Sequence, residues 1–202
     1  MMCGKFISLE GMDGAGKSTH IPTILNALKL RGAEVVSTRE PGGTLLGEQL
    51  RELLLQQDMH PETEALLMFA ARREHIAQVI EPALVRGAYV VTDRFADASF
   101  AYQCGGRGIS FEKMLDLESW VQGGLQPDVT LLFDVPVEVS IQRLASARAP
   151  DKFERETADF FNRIRNAYLR RAADCPERFR VIDANRDIDA VRQSVEEIVA
   201  SI

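Results

Sequence analysis

Eight residues near the amino terminus constrain the chain more than any other feature. Residues 11–18 read Gly-Met-Asp-Gly-Ala-Gly-Lys-Ser and match the phosphate-binding pattern G-x-x-x-x-G-K-[ST] at every fixed position. An apolar stretch, residues 6–9, runs into them, and Ile21, Leu25 and Leu28 follow at the spacing of one helix face. A glycine-rich turn before an ordinary helix is the alternative interpretation. A strand, a loop and a helix in this order are, however, the context in which the pattern binds phosphate.

The residue types of this loop suit a polyanion. Glycines leave room for successive backbone N–H groups to converge on phosphate oxygens, and the following helix directs its positive dipole end at the same anion. We expect Lys17 to reach the outer phosphates of a nucleotide and Ser18 to offer its hydroxyl to Mg²⁺. The predicted ATP-binding residues are Gly11, Met12, Asp13, Gly14, Ala15, Gly16, Lys17 and Ser18.

Asp13 is the unusual residue of the loop. Its carboxylate stands where phosphates gather, which opposes nucleotide binding unless it has another partner. It could accept a hydroxyl of a second substrate close to the transferred phosphate. A solvent-facing aspartate that supports the turn is the alternative.

Length and composition limit the class of protein. The 202 residues suit one domain, residues 1–202, and 46% of them are hydrophobic. The net charge of −6 argues against a nucleic-acid-coating surface, so we expect no nucleic-acid partner. Neither a signal peptide nor an apolar run of about 20 residues is found, so we expect no membrane association. Three widely spaced cysteines, Cys3, Cys104 and Cys175, are consistent with a reducing cytoplasm.

Strand and helix patterns alternate along the chain. Such alternation predicts an α/β fold of the P-loop NTPase or kinase type, with a five-stranded parallel sheet covered by helices on both faces. We expect Trp120 to pack inside, and His75 to lie on the polar side of its helix. The predicted strands are residues 6–9, 34–38, 88–92, 129–133 and 180–182.

Charged residues follow two of these strands directly. Arg39 comes after the second strand and opens the turn Glu-Pro-Gly-Gly, where it could hold an anion with Glu40 orienting it. Asp93 and Arg94 come after the third strand, where the carboxylate could hold Mg²⁺ and the guanidinium could grip a phosphate. A surface turn with an ion pair, and a strand-end salt bridge, are the respective alternatives.

A second group of residues could recognise a small polar ligand. Phe69 and Arg73 are four residues apart and share a helix face, so a ring and a guanidinium could clamp a nucleobase. A core phenylalanine and a solvated arginine are the alternative. Ser99, Tyr102 and Gln103 carry hydroxyls and an amide that suit a ligand's edge, although local capping would use the same residue types.

A basic segment interrupts the helical pattern late in the chain. Residues 146–155 lie between two predicted helices and form a candidate lid, which could bring Arg148 over a transferring phosphoryl group. A plain surface loop is the alternative.

Taken together, four stretches resemble the thymidylate kinase family over nearly the whole chain. They are the phosphate loop with its internal acid Asp13, the run Thr-Arg-Glu-Pro-Gly-Gly-Thr at residues 38–44, Asp-Arg-Phe at 93–95 and Ala-Tyr-Gln at 101–103. The resemblance implies a homodimeric P-loop kinase that uses MgATP to phosphorylate dTMP to dTDP.

The resemblance also implies a role for each matching residue. Asp13 would hold the 3′-hydroxyl of dTMP, and Arg39 and Arg94 would hold its phosphate. The base and sugar would be bound by Phe69 stacking on thymine, Arg73 at its edge, Ser99 and Gln103 nearby, and Tyr102 under the deoxyribose.

Two departures from the family pattern affect the predicted chemistry. Ala15 stands where some members carry an arginine, so a catalytic cation must come from elsewhere, and the lid supplies Arg148 as in the bacterial type. Cys104 stands where glycine is usual, and it could stiffen its loop or expose a thiol. The sequence leaves open which basic residue reaches the phosphates: Arg143, Arg148, Lys152 or Arg155.

The mechanism that these residues predict is in-line phosphoryl transfer. Because the acceptor is already an anion, catalysis would consist of positioning and charge neutralisation by Lys17, Arg94, Mg²⁺ and the closing lid. A kinase for another nucleoside monophosphate is the nearest alternative. A nucleotide-dependent regulatory switch is a more distant one, since the N-K-x-D guanine-reading pattern is absent from the sequence.

Overall fold

A computed structural model describes residues 4–145 and 152–202. Its centre is a sheet of five parallel strands in the order β2-β3-β1-β4-β5, which confirms the predicted fold class. The strands are β1 (Phe6–Glu10), β2 (Val35–Arg39), β3 (Tyr89–Asp93), β4 (Val129–Asp134) and β5 (Phe179–Asp183).

Both faces of the sheet are buried. Successive side chains of a strand project to opposite faces, and the buried residues separate accordingly. Ile7 and Val91 belong to one apolar cluster, whereas Phe6 and Val90 belong to another. The near-continuous apolar character of β1 and β3 follows from this double burial.

Helices supply the cover on the two faces. Nine α-helices are found in the described part of the chain, and two of them continue into π-helical segments. The α-helices are α1 (Lys17–Leu30), α2 (Leu45–Gln56), α3 (Pro61–His75), α4 (Glu81–Val85), α5 (Ala96–Ser99), α6 (Phe111–Gln122), α7 (Val137–Ala145), α8 (Ala158–Asp174) and α9 (Ile188–Ala200), and the π-helical segments are Ile76–Ile80 and Phe100–Gly106.

Two predictions about single residues were wrong. Trp120 does not pack inside, because it projects from α6 with 80% of its surface exposed. His75 is not on a polar face, because the turn after β2 covers it and its ring is fully buried.

None of the helices within residues 4–145 and 152–202 combines the length and the apolarity that crossing a bilayer requires. Most of the predicted lid, including Arg148, lies outside the described residues, as does Cys3.

Candidate active site

The phosphate loop lies between the carboxyl end of β1 and the start of α1. Its glycines are needed where the loop touches its neighbours: a Cβ on Gly11, whose φ is +132°, would lie 2.5 Å from the carbonyl oxygen of Phe133. The buried Lys17 donates from Nζ to the carbonyl oxygens of Gly11 and Met12, at 2.9 and 3.0 Å. Burial, followed by the charge of Arg94, lowers the pKa of Lys17. The lysine is thus held over the loop that would receive a phosphate.

The cavity above this loop, called the phosphate cavity below, is lined by Lys17, Ser18 and Asp93 among others. Asp93 Oδ1 is buried and has no hydrogen-bond partner in the described part of the chain. An unpartnered buried carboxylate oxygen beside a hydroxyl is a donor set that fits Mg²⁺. No cluster of three or more His, Cys, Asp or Glu side chains suited to a metal occurs in residues 4–145 and 152–202. This arrangement suits an ion held by one or two protein oxygens and by nucleotide phosphates.

Arg94 follows β3 in a left-handed backbone conformation, with φ of +72°. Its backbone N–H donates to the Leu9 carbonyl oxygen at 2.9 Å, and Thr92 Oγ1 donates to the Arg94 carbonyl oxygen at 2.8 Å. A non-glycine residue holds this strained conformation only where its surroundings determine it. The two bonds therefore direct the guanidinium back across the carboxyl ends of β1 and β3.

The Arg94 side chain joins three partners at the site. One terminal nitrogen donates to Asp13 Oδ1 at 2.7 Å and to the Tyr102 hydroxyl at 3.1 Å, and the other donates to the Tyr168 hydroxyl at 3.0 Å. Tyr102 in turn donates to Asp13 Oδ2 at 2.9 Å. Burial opposes the charge on Asp13, but Arg94 and Lys17 outweigh it and hold the pKa of Asp13 well below its usual range. Asp13 is thus ionised and held by Arg94 and Tyr102, although its side chain is still partly exposed.

A second cavity adjoins the phosphate cavity. The two share Asp13, Glu40, Arg51 and Arg94 in their linings. A phosphate-bearing ligand in each would therefore bring its charged end to Asp13 and Arg94. The other residues of the second cavity are Pro41, Leu55, Met68, Arg72, Phe95, Ala98, Ser99, Tyr102, Gln103 and Phe153.

Arg39 lines the phosphate cavity but has a different partner from the one predicted. It binds Glu48 of α2 through a 2.8 Å bond, whereas Glu40 bonds to Arg72 and His75. Arg51, which the sequence analysis missed, donates to the Pro41 carbonyl oxygen at 3.1 Å and lines both cavities. Its position on α2, one turn beyond Glu48, is a signal that could have identified it.

The predicted pair of Phe69 and Arg73 does not line the second cavity. Phe69 is buried in an apolar cluster with Phe100, and Arg73 donates to the Val121 carbonyl oxygen at 2.6 Å on another side of α3. Arg72 lines the cavity instead, with its guanidinium 4.6 Å from the centre of the Phe69 ring. Arg72, and not the predicted Arg73, is therefore the arginine of α3 that lines this cavity. Phe69 supports that arginine from below.

Glu40 and His75 explain why Arg72 can be buried. Glu40 accepts from Arg72 Nε at 2.7 Å and pairs with His75 Nδ1 at 2.8 Å, and His75 Nε2 pairs with Thr38 Oγ1 at 2.6 Å. The sequence analysis had assigned Glu40 to Arg39 and had given His75 no role in the site. The available signal was the spacing of Arg72 and His75, three apart on α3, opposite the acid that follows β2.

Ser99, Tyr102 and Gln103 all line the second cavity, as the sequence suggested. Arg72 donates to Ser99 Oγ at 2.9 Å, and Gln103 Nε2 donates to Glu64 Oε1 at 3.0 Å. One terminal nitrogen of Arg72 and Oε1 of Gln103 are buried without a partner in the described residues. Two residues of the cavity lining thus each carry a buried polar atom without a partner, one a donor and one an acceptor.

Cys104 follows these residues in the π-helical segment. Burial raises the pKa of its thiol to about 11. At neutral pH the group is a thiol, which is a poor nucleophile. Of the two roles considered from sequence, Cys104 is a partly buried thiol and not a reactive thiolate.

Arg143 and Lys152 are two of the four basic residues considered for the phosphates. Arg143 lines the phosphate cavity and donates to the carbonyl oxygens of Gly14 and Ala184, at 3.3 and 3.2 Å. Lys152 lies away from the phosphate loop, with Nζ 2.8 Å from Glu64 Oε2. Arg143 is the better placed of the two.

A phosphate loop at the head of a parallel sheet, a strand-end acid and an adjoining ligand cavity define a P-loop phosphotransferase. The model of the family described as Thymidylate kinase matches residues 9–195. The chain belongs to the thymidylate kinase family.

Individual relatives agree with this assignment. The chain is 70% identical to a thymidylate kinase of Methylobacillus flagellatus, with 98% of each chain covered. It is 65% identical to one of Cupriavidus metallidurans over the full length of both. The crystal structure of a thymidylate kinase from Ehrlichia chaffeensis superimposes with a TM-score of 0.77, at 33% identity and with 97% of this chain and 98% of that chain covered.

Proposed function

We infer that this chain transfers the γ-phosphoryl group of MgATP to the 5′-phosphate of dTMP, a step towards dTTP. The observation that carries the inference is the junction of the two cavities at Asp13 and Arg94. A nucleotide on the phosphate loop and a monophosphate in the second cavity would meet there with their phosphates adjacent. That arrangement suits direct transfer between the two ligands.

Lys17 and Arg94 would neutralise the charge that spreads over the transferring group. Arg94 holds a fixed position through Asp13 and the two tyrosine hydroxyls, so it needs little reorganisation at the moment of transfer. Ser18 and Asp93 would hold the Mg²⁺, which supplies Lewis-acid neutralisation of the phosphate oxygens when bound. We propose that Arg148 is the further cation, supplied by the lid. We also propose that residues 1–202 form one domain.

The second cavity suits thymine by its hydrogen-bonding pattern. Thymine presents a carbonyl acceptor at position 4 beside an N3–H donor, and these match the unpartnered nitrogen of Arg72 and the unpartnered Oε1 of Gln103. Cytosine presents a donor and an acceptor in the reverse order, which would leave both protein groups unpaired. A site built to bond such groups rejects a mismatched analogue strongly.

The remaining contacts would fix the sugar and the acceptor phosphate. Asp13 would accept the 3′-hydroxyl, with Tyr102 under the deoxyribose. Arg39 would reach the acceptor phosphate only after leaving Glu48, because the pair is bonded at 2.8 Å in this structure. Arg51 lies nearer the junction and is proposed as a second phosphate ligand.

We propose that the enzyme is a cytoplasmic homodimer. A mainly apolar groove between α3 and α6 supports the dimer. It is lined by Ala65, Leu66, Ile109, Leu117 and Trp120, together with the charged Glu62, Lys113 and Asp116. Exposed apolar grooves of this kind are typical of protein–protein contacts. The cytoplasm suits free thiols, and Cys104 and Cys175 are not joined in a disulfide.

A coupled assay of ADP release from MgATP tests the proposal. The acceptors dTMP, dUMP, dCMP, dGMP and AMP would be compared side by side. We expect strong preference for dTMP and loss of activity in Lys17→Ala. Preference for another monophosphate would retain the kinase and overturn the base site, whereas release of ADP only with a protein partner would favour the regulatory switch.

A further inference from the structure

We propose that Glu64 sets the base preference of the second cavity by fixing the orientation of the Gln103 amide. The inference rests on the proposed function, because it concerns how the acceptor base is chosen. Glu64 lies on α3 with only 1% of its surface exposed, and its Oε1 accepts from Gln103 Nε2 at 3.0 Å.

Two cations pair with the buried Glu64. Lys152 Nζ lies 2.8 Å from Oε2, and Arg107 Nε lies 3.5 Å from Oε1. Ammonium and guanidinium groups carry only donors, so the carboxylate oxygens that pair with them are acceptors. Glu64 is therefore an acceptor on both oxygens.

This property decides which way the Gln103 amide points. The NH₂ group must face Glu64, because the reverse orientation would set the amide oxygen against a carboxylate. Oε1 of Gln103 is consequently left for a ligand, and it is buried without a partner among the described residues. A side-chain amide is otherwise free to present either a donor or an acceptor to its surroundings.

With its orientation fixed, the Gln103 amide presents only its acceptor oxygen to a ligand. Beside it, Arg72 can only donate, so together the two residues present one donor and one acceptor in a single order. Thymine matches that order and cytosine does not. Glu64 is not itself part of the cavity lining and acts on the proposed ligand only through Gln103, so it is a positioning residue.

Replacing Glu64 by its amide isolates this role. In Glu64→Gln the new side chain can accept from or donate to Gln103, so both amide orientations become available. We expect the ratio of kcat/KM for dTMP to that for dCMP to fall at least tenfold, with part of the change appearing as a rise for dCMP. A merely structural defect would lower both values together and leave their ratio unchanged.

Glu74→Gln is the matched control. Glu74 lies on the same helix, is partly exposed and accepts a hydrogen bond from Gln78 Nε2, away from Gln103. We expect it to keep the wild-type ratio. Glu64→Asp retains an acceptor-only group and should restore most of the preference lost in Glu64→Gln.

A measurement on the wild-type enzyme covers the case in which Glu64→Gln does not fold. The side-chain NH₂ protons of Gln103, assigned by their loss in Gln103→Leu, should exchange slowly with solvent before dTMP is added. Fast exchange would overturn the proposal, as would an unchanged ratio in folded Glu64→Gln. A wild-type enzyme that does not use dTMP would instead overturn the proposed function, so the two failures are distinguishable.

Discussion

Arg72 and Arg73 are adjacent in sequence but lie on different sides of α3. Successive residues of a helix are about 100° apart, so only one of two neighbouring arginines can reach the second cavity. Arg72 does so because Glu40 and Ser99 hold it there, and Arg73 instead bonds to the Val121 carbonyl oxygen at the end of α6.

This difference predicts unequal effects of the same substitution at the two positions. Arg72→Lys keeps the charge but loses the planar fork that bonds Glu40, Ser99 and the ligand at once. We expect KM for dTMP to rise at least about tenfold, in line with roughly 1.5–3 kcal/mol for a hydrogen bond to a charged group. Steady-state kinetics would measure it. Arg73→Lys should leave KM within about twofold, and equal effects at both positions would contradict the assignment.

Glu10 is a buried acid at the end of β1. Burial, followed by the charge of Asp97, raises its pKa to about 8. It accepts from the Phe95 backbone N–H at 2.7 Å and from the Tyr168 hydroxyl at 3.1 Å. Since Tyr168 also accepts from Arg94, this acid supports the arginine of the site.

The raised pKa predicts a pH dependence of stability. Between about pH 5 and 8 the folded state retains a proton on Glu10 that the unfolded state has released, so stability falls as pH rises through this window. The slope is at most about 1.4 kcal/mol per pH unit for one proton. Glu10→Gln cannot ionise, so the free energy of unfolding of the wild type relative to this variant should decrease from pH 5 to 8. Urea unfolding of both proteins at several pH values measures this difference. If the two free energies of unfolding change in parallel from pH 5 to 8, the role of Glu10 is refuted.

At the scale of elements, the π-helical segment Phe100–Gly106 positions the second cavity. It carries Tyr102 and Gln103 and packs closely on α8, which carries Tyr168. A Cβ on Gly106 would lie 2.6 Å from the Phe160 ring. The absence of a side chain there allows the approach of the two elements.

Gly106→Ala tests this packing. The added methyl group must displace Phe160, which is buried, so we expect a loss of about 1–3 kcal/mol in the free energy of unfolding. The shift of Tyr102 and Gln103 should also raise KM for dTMP. Gly123→Asn is the control, because nothing lies within 4 Å of a Cβ at Gly123 and asparagine tolerates its left-handed backbone. Unchanged stability in Gly106→Ala would mean that the segments move apart without cost.

At the scale of the whole molecule, the proposed dimer depends on the α3–α6 groove. Trp120 is 80% exposed and lies in the groove, whereas Leu30 is 89% exposed at the end of α1. Trp120→Asp should weaken dimerisation at least about tenfold, because burying a large apolar side chain contributes roughly 1.5–3 kcal/mol. Size-exclusion chromatography with light scattering measures the mass. Leu30→Asp should leave it unchanged, and a monomeric wild type would overturn the dimer.

Prediction from sequence succeeded where the pattern is local. The phosphate loop and the five strands are specified by residues within about ten positions of each other, so glycine spacing and apolar runs were sufficient. The strand ends also located Arg39, Asp93 and Arg94 at one edge of the sheet, because parallel strands end together.

The sequence by itself therefore determined the fold class, the nucleotide loop and the edge of the sheet at which the site lies. Only the tertiary structure decided which of two adjacent arginines reaches the second cavity, that His75 is buried and that Trp120 is exposed. These outcomes depend on contacts between segments far apart in the chain, such as Glu40 with Arg72 and Glu64 with Gln103. Helix periodicity predicts which residue of a helix faces a cavity only to within one position. The contact with a residue from a distant segment decides which of the neighbouring side chains reaches that cavity.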